Sequence, residues 1–172
     1  ATSGATNSKM SSPAAVLVDG ADRLWVADQS NHRVLRFDGA AGLENTAAAN
    51  GVLGQADFTS FAQGSSPEKM DQPNALAVDR AGTLYISDYF NNRVLYHKSP
   101  GSKTHGATPD GVIGQPDLTT TTGGVTSQEL TGPYGGLDFD ATGNLWVADN
   151  GNHRTLRFPG DFTATAPKVK GK

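Results

Sequence analysis

Residues 13–37 read PAAVLVDGADRLWVADQSNHRVLRF, residues 73–97 read PNALAVDRAGTLYISDYFNNRVLYH, and residues 133–158 read PYGGLDFDATGNLWVADNGNHRTLRF. These are three copies of one pattern. Pro13, Pro73 and Pro133 stand 60 residues apart, whereas Asp88 and Asp149 stand 61 apart, so the third copy carries one extra residue between Pro133 and Asp140. A second echo follows the first two copies, GVLGQADFT at 51–59 and GVIGQPDLT at 111–119. Self-similarity at a fixed period of this length marks a repeat architecture, in which each unit is one supersecondary structure.

Each unit reads as four short strands, in the first copy 15–19, 23–28, 33–37 and 51–55. Val, Leu, Ile and aromatic residues fill these runs, while Gly, Asn, Asp and Ser fill the gaps, as strands and turns require. The gaps 20–22, 80–82 and 141–143 have hairpin-turn composition. No stretch sustains a 3.6-residue period, and 42–50 has room for one helical turn at most. Four antiparallel strands repeated in tandem predict an all-β fold of β-propeller blades. A solenoid coil repeats at a shorter period, and a sandwich carries no such echo. The whole chain, 1–172, is one repeat region with blade repeats at about 13–60, 73–120 and 133–172. The step from Phe37 to Val52 recurs between His97 and Val112, and from Phe158 it would reach one residue past Lys172. The last blade is therefore expected to lack its fourth strand.

The most informative repeated motif is Asp28, Asn31 and Arg33, matched by Asp88, Asn91 and Arg93 and by Asp149, Asn152 and Arg154. An Asp ending the second strand and an Arg opening the third can face each other across a tight turn and close it with a charge-assisted hydrogen bond. The Asn between them is expected to accept backbone N–H groups and to tolerate a left-handed conformation. His32 and His153 share a position with Asn92, and a place that accepts either residue reads as hydrogen-bonding rather than catalytic. The pattern P-x-x-(hydrophobic)-x-x-D, L-(W/Y)-(V/I)-(A/S)-D, N-(H/N)-R-(V/T)-L resembles the NHL repeat. The added GVLGQ strand is similar to bacterial NHL proteins with units of about 60 residues. The resemblance covers essentially the entire chain and implies six-bladed propellers, of which three blades are half a ring. The missing half would come from further blades of a longer chain or from a second copy, in a closed ring, a filament or a strand-donating complex. NHL propellers include ligand-sensing ectodomains, protein-interaction platforms, RNA-binding modules and peptide-amidating lyases, so the resemblance leaves the function to be argued from a site.

Composition excludes several classes. A net charge of -3, a pI near 5.7 and no Lys/Arg block beyond the tail residues Lys168, Lys170 and Lys172 argue against a nucleic-acid partner. Zero Cys removes disulfides, thiolate metal sites and thiol nucleophiles. No run of 18 apolar residues is present, so no membrane-spanning helix is expected. The chain opens on Ala1 with no hydrophobic leader and reads as a processed chain or a fragment.

No catalytic residue is assigned, since His-x-His, HExxH and GxSxG are all missing. Asp19, Asp79 and Asp140 recur at blade period and are the candidate metal set, with calcium the ion such oxygens would take, although capping of the adjacent turn is the preferred reading. Trp25, Tyr85 and Trp146 share one strand position and read as inter-blade core. Tyr89, Phe90 and Tyr134 are irregular and are the candidates for ligand contact. The Ser/Thr/Gly-rich connectors read as exposed and flexible, with Thr119, Thr120, Thr121 and Thr122 as candidate O-glycosylation sites. Together these features lead to the expectation of a non-enzymatic NHL-type propeller module without a cofactor. It would serve protein interaction, ligand sensing or self-assembly, with itself, a protein or a glycan as partner. The expected location is extracellular, cell-surface or periplasmic. The contrasting expectation is a propeller hydrolase or lyase with an axial calcium or zinc ion.

Overall fold

A computed structural model describes residues 5–160; residues 1–4 and 161–172, including the Lys168, Lys170 and Lys172 cluster, lie outside the described part. Among the described residues eleven strands follow in chain order: β1 Pro13–Val18, β2 Arg23–Asp28, β3 Arg33–Asp38 and β4 Gly51–Leu53; β5 Pro73–Val78, β6 Leu84–Asp88, β7 Arg93–His97 and β8 Gly111–Ile113; β9 Pro133–Phe139, β10 Leu145–Asp149 and β11 Arg154–Phe158, and the place of a fourth strand in the last repeat lies outside them. They form three antiparallel meanders in which sequential strands are neighbours, two of four strands and one of three. We refer to them as blades 1, 2 and 3. No described helix is long and apolar enough to cross a membrane.

Residues directly opposite one another in an antiparallel pair share a face of the sheet. Val16 opposite Val26 and Val18 opposite Leu24 mark the first face of blade 1, while Trp25, opposite Leu17 on β1 and Arg36 on β3, marks its second. The second face of blade 1, through Trp25, Ala27, Val34 and Leu53, packs on Leu84, Ile86 and Leu95 from the first face of blade 2. The second face of blade 2, through Ala77, Tyr85, Val94 and Ile113, packs in the same way on Leu145, Val147 and Phe158 of blade 3. The leading strands β1, β5 and β9 stand side by side. Meanders stacked face to face with their first strands adjacent are propeller blades.

Three details differ from the sequence reading. The fourth strand ends at Leu53, not Gln55, because Gly54 turns out of the strand at φ +83 and Gln55 donates to the carbonyls of His32 and Ala62. A Cβ at Gly54 would meet the buried Met70 side chain, and one at Gly114 would meet Leu130, so glycine serves both the left-handed φ and the close approach. The helical turn allowed within 42–50 falls instead at Ala40–Gly42, where Asp22 accepts the Ala41 N–H, and is one of five short turns of this kind among the described residues; 43–58 lays Leu43, Ala47, Ala49 and Phe58 over part of the first face of blade 1. Finally, the connectors are held in place rather than free. Arg33 donates to the carbonyls of Thr6, Lys9 and Phe58, and Arg93 donates to those of Lys69 and Leu118.

Candidate functional site

At one end of the blades the repeated Asp and Arg close the turn between second and third strands. Arg33 Nε donates to Asp28 at 2.7 Å and Arg93 Nε to Asp88 at 2.7 Å, with all four side chains fully buried; Arg154 Nε donates to Asp149 at 2.6 Å from a partly exposed position. Each carboxylate also accepts a backbone N–H from the incoming connector, of Ser11, Asp71 and Thr131 respectively. The motif therefore joins turn, blade and connector in one network. The role expected of the Asn is corrected: Asn31, Asn91 and Asn152 donate Nδ2 to their own Asp, and the left-handed residue is the next one, His32, Asn92 or His153, at φ +53 to +54.

That left-handed residue reaches the following blade. His32 Nδ1 accepts the N–H of Gln72 at 3.2 Å, and Asn92 Oδ1 accepts the N–H of Gly132 at 2.7 Å. Gln72 and Gly132 are themselves equivalent, both left-handed, and Ser12 shares their conformation and repeat position. Sequence reading located the hydrogen-bonding role but not its inter-blade partner, because only the fold brings residues 40 positions apart together.

The structure brings Tyr89, Phe90 and Tyr134 into one cluster at this end. Tyr89 and Phe90 lie 4.4 Å apart by ring centroid, and Tyr134 meets Tyr89 edge-on at 5.2 Å. The extra residue of the third copy explains the meeting. Between the pairs Pro133–Asp149 and Leu137–Val147, β9 has three residues against one on β10, a bulge one residue larger than its counterparts in β1 and β5. Bulges re-aim side chains. Gly135, at φ +79, supplies the conformation, and Tyr134 emerges 47% exposed. A Gly135→Ala substitution meets no steric obstacle but carries the left-handed penalty, so it is expected to cost about 1–2 kcal/mol and to loosen the Tyr134–Tyr89 pair. Thermal unfolding together with tyrosine near-ultraviolet dichroism checks both.

At the opposite end, Asp19, Asp79 and Asp140 occupy equivalent turns, and each carboxylate is occupied by donors of its own blade. Asp19 accepts from the backbone of Ala21 and Arg23 and from the Arg23 and Trp25 side chains; Asp79 accepts from Ala81, Thr83 and the Tyr85 hydroxyl; Asp140 accepts from Thr142, Asn144 and Trp146. Burial opposes ionisation of Asp19, yet its hydrogen bonds, led by that from Trp25, hold the carboxyl below the usual range. The Asn144 and Thr142 side chains hold Asp140 lower still. Burial, followed by the Asp79 charge, pushes the Tyr85 hydroxyl up. No group of three or more His, Cys, Asp or Glu side chains spaced to hold a metal occurs among the described residues. A cleft of about 640 Å³ between the turns of blades 2 and 3 is lined by Asp79, Arg80, Tyr85, Lys98 and Asp140, and Arg80 spans it to the Ala141 carbonyl at 2.8 Å.

The Thr119–Thr122 run sits in an ordered connector. Asp117 accepts from the Thr119 backbone and hydroxyl and from the Thr120 N–H, and the carbonyls of Thr121 and Thr122 receive Asn92 and Gln115. The donors Thr119 and Thr120 hold Asp117 down to about 2, and the same turn recurs at Asp57.

The inter-blade core place expected of Trp25, Tyr85 and Trp146 is met by the first two only, and the outer faces of the end blades expose apolar residues, as three blades short of a ring imply. Trp25 and Tyr85 are each 1% exposed, but their counterpart Trp146 is 41% exposed on the outer face of blade 3. On the outer face of blade 1, Val16 and Val18 are 70% and 59% exposed.

No family model and no curated protein sequence matches the chain. Among solved structures it is similar to a structural genomics protein of unknown function from Bacteroides thetaiotaomicron VPI-5482, at 16% identity and a TM-score of 0.52, over 78% of this chain and 31% of that one. It is also similar to a streptogramin B lyase, at 12% identity, a TM-score of 0.48 and coverage of 88% and 42%. A virginiamycin B lyase from Staphylococcus aureus follows at 11% identity, a TM-score of 0.46 and coverage of 87% and 41%. The chain thus spans less than half the length of each. Such likeness bears on fold alone.

Proposed function

We propose that this chain is a non-enzymatic interaction module of the NHL type, whose working surfaces are the outer sheet faces of its end blades. The observation that supports this reading is the exposure of Val16, Val18 and Trp146, at positions whose counterparts are covered by a neighbouring blade. Exposed apolar positions grouped on one sheet face mark a protein–protein contact. The repeated polar residues support the same reading, since their hydrogen-bonding capacity is directed into turns, connectors and joints. Asp19, Asp79 and Asp140, the set that an axial ion would need, are occupied by donors of their own blades.

A metal titration separates this reading from an enzyme with an axial ion. Protein dialysed against chelator and then supplied with calcium or zinc is expected to show an unchanged unfolding midpoint and no stoichiometric bound ion. A one-to-one ion that raises the midpoint, and loses that effect in Asp79→Asn, would overturn the reading. Solution mass supplies the second test, because the outer faces are expected to be covered in assemblies heavier than 17.9 kDa.

A further inference from the structure

The joint between blades 1 and 2 and the joint between blades 2 and 3 use the same parts. A left-handed His or Asn accepts a backbone N–H from the connector leading into the next blade, and an aromatic residue on the second face packs against the first face of that blade. At the first joint Arg36 also donates to the Gly101 carbonyl in the outer turn of blade 2, at 2.6 Å. The two halves of this joint recur, each without its mate among the described residues, on the outer faces of blades 1 and 3.

Blade 3 presents the donor-side half. His153 has the same left-handed φ as His32, +54, but is exposed; Trp146 takes the place of Trp25, and Arg157 takes the place of Arg36 and is also exposed. Blade 1 presents the receiving half. Ser12 is left-handed like Gln72 and Gly132 and is exposed, Val16 stands where Leu76 meets blade 1, Val18 stands where Phe139 meets Tyr85 of blade 2, and Ala41 stands where Gly101 receives Arg36. The outer face of blade 3 has also become more polar than its counterparts, with Thr155 in place of Val34 and Val94 and Asp138 in place of Leu17 and Ala77. That change suits a face that spends part of its time in water, as one between separate chains does and one inside a covalent ring does not.

We infer that a second copy of this chain docks head to tail, its blade 1 on this chain's blade 3, and so repeats the internal joint between molecules. In that joint His153 Nδ1 accepts the Ser12 N–H of the second copy, Arg157 donates to its Ala41 carbonyl, and Trp146 is covered by its Val16 and Val18. The interface is heterologous, so it either closes into a ring or extends as a filament. The inference rests on the interaction reading above and specifies which faces meet.

The experiment uses the full chain and two poisoned variants: Val16→Asp/Val18→Asp, which spoils the receiving half, and Trp146→Asp, which spoils the donor half. All the substituted side chains are exposed, so thermal unfolding of each variant is expected to match the parent monomer. Alone, each variant is expected to be monomeric by sedimentation. Mixed one to one, they retain one intact pair of faces and are expected to form a species of about twice 17.9 kDa. His153→Ala is expected to weaken assembly of the parent about ten-fold, the effect of one hydrogen bond, whereas His153→Asn retains it because Asn92 makes the same bond internally. If the parent assembles but Trp146→Asp also assembles alone, like faces are meeting and the head-to-tail joint is overturned, while the interaction reading stands. If the parent is monomeric throughout, both fall.

Discussion

Arg93→Ala is expected to destabilise the protein by about 3–5 kcal/mol, a large share of the total stability of a domain this size. Arg93 and Asp88 are both fully buried, 2.7 Å apart. Removing the guanidinium leaves a buried carboxylate with only the Asn91 amide and the Asp71 N–H as donors. It also frees the carbonyls of Lys69 and Leu118, and with them the two connectors that Arg93 ties to the blade. Lys is no substitute, because one ammonium cannot serve a carboxylate and separate carbonyls with the fixed fork of a guanidinium. Denaturant unfolding checks the size of the effect. Arg154→Ala is expected to have a smaller effect, since that side chain is partly exposed and water can take its place. The double substitution Asp88→Asn/Arg93→Met separates the two roles: it is expected to recover part of the loss by removing the stranded charge, but not all of it, because the connector carbonyls stay unserved.

The second large effect concerns His97. Its counterparts in the other blades are Phe37 and Phe158, and His97 is as buried as they are, with neither ring nitrogen hydrogen-bonded. Burial, with Lys103 nearby, pushes its imidazole down to about 4, against the opposing influence of Asp110, which itself pairs with Lys103 at 2.8 Å. In the unfolded chain the group titrates near 6.5. Between those values the unfolded chain binds the extra proton, so stability rises with pH across the window and is lost as the pH falls from about 6.5 to about 4. The loss amounts to about 3 kcal/mol. His97→Phe is expected to be more stable than the parent at neutral pH by about 2 kcal/mol, through relief of two unserved polar atoms. Its pH dependence should also be flatter between 4 and 6.5. Unfolding midpoints measured across that range check both expectations, and equal slopes for the two proteins would contradict the assignment.

Much of this fold is legible in the sequence because the signals are local and repeated. Alternating apolar runs, turn residues at fixed offsets and the Asp-x-x-Asn-x-Arg spacing each constrain a single hairpin, and three copies reinforce one another. What escaped was set by contacts between units. Nothing local to Asn31 or His32 says which of them turns left-handed, or that His32 will bond a residue 40 positions onward. Arg33 and Arg93 read as partners of an Asp, yet more of their donors go to connector carbonyls than to carboxylates, and this is why loops rich in Ser, Thr and Gly are held in place. The aromatic cluster was readable as three irregular residues but not as a cluster, because the bulge that swings Tyr134 over Tyr89 depends on where the sheet absorbs one extra residue. Trp146 and Trp25 occupy the same place in the repeat; they differ because one face has a neighbouring blade and the other has none among the described residues.

That difference is also the most direct point of attack. Sedimentation of the unmodified protein over a range of concentrations, read together with the emission of Trp146, measures whether the outer faces are covered. The expected result is a species heavier than 17.9 kDa that dissociates on dilution, with the tryptophan emission shifting to the red as it does. A folded species of 17.9 kDa at every concentration, with Trp146 emission unchanged, would contradict the claim that these chains meet through their end blades.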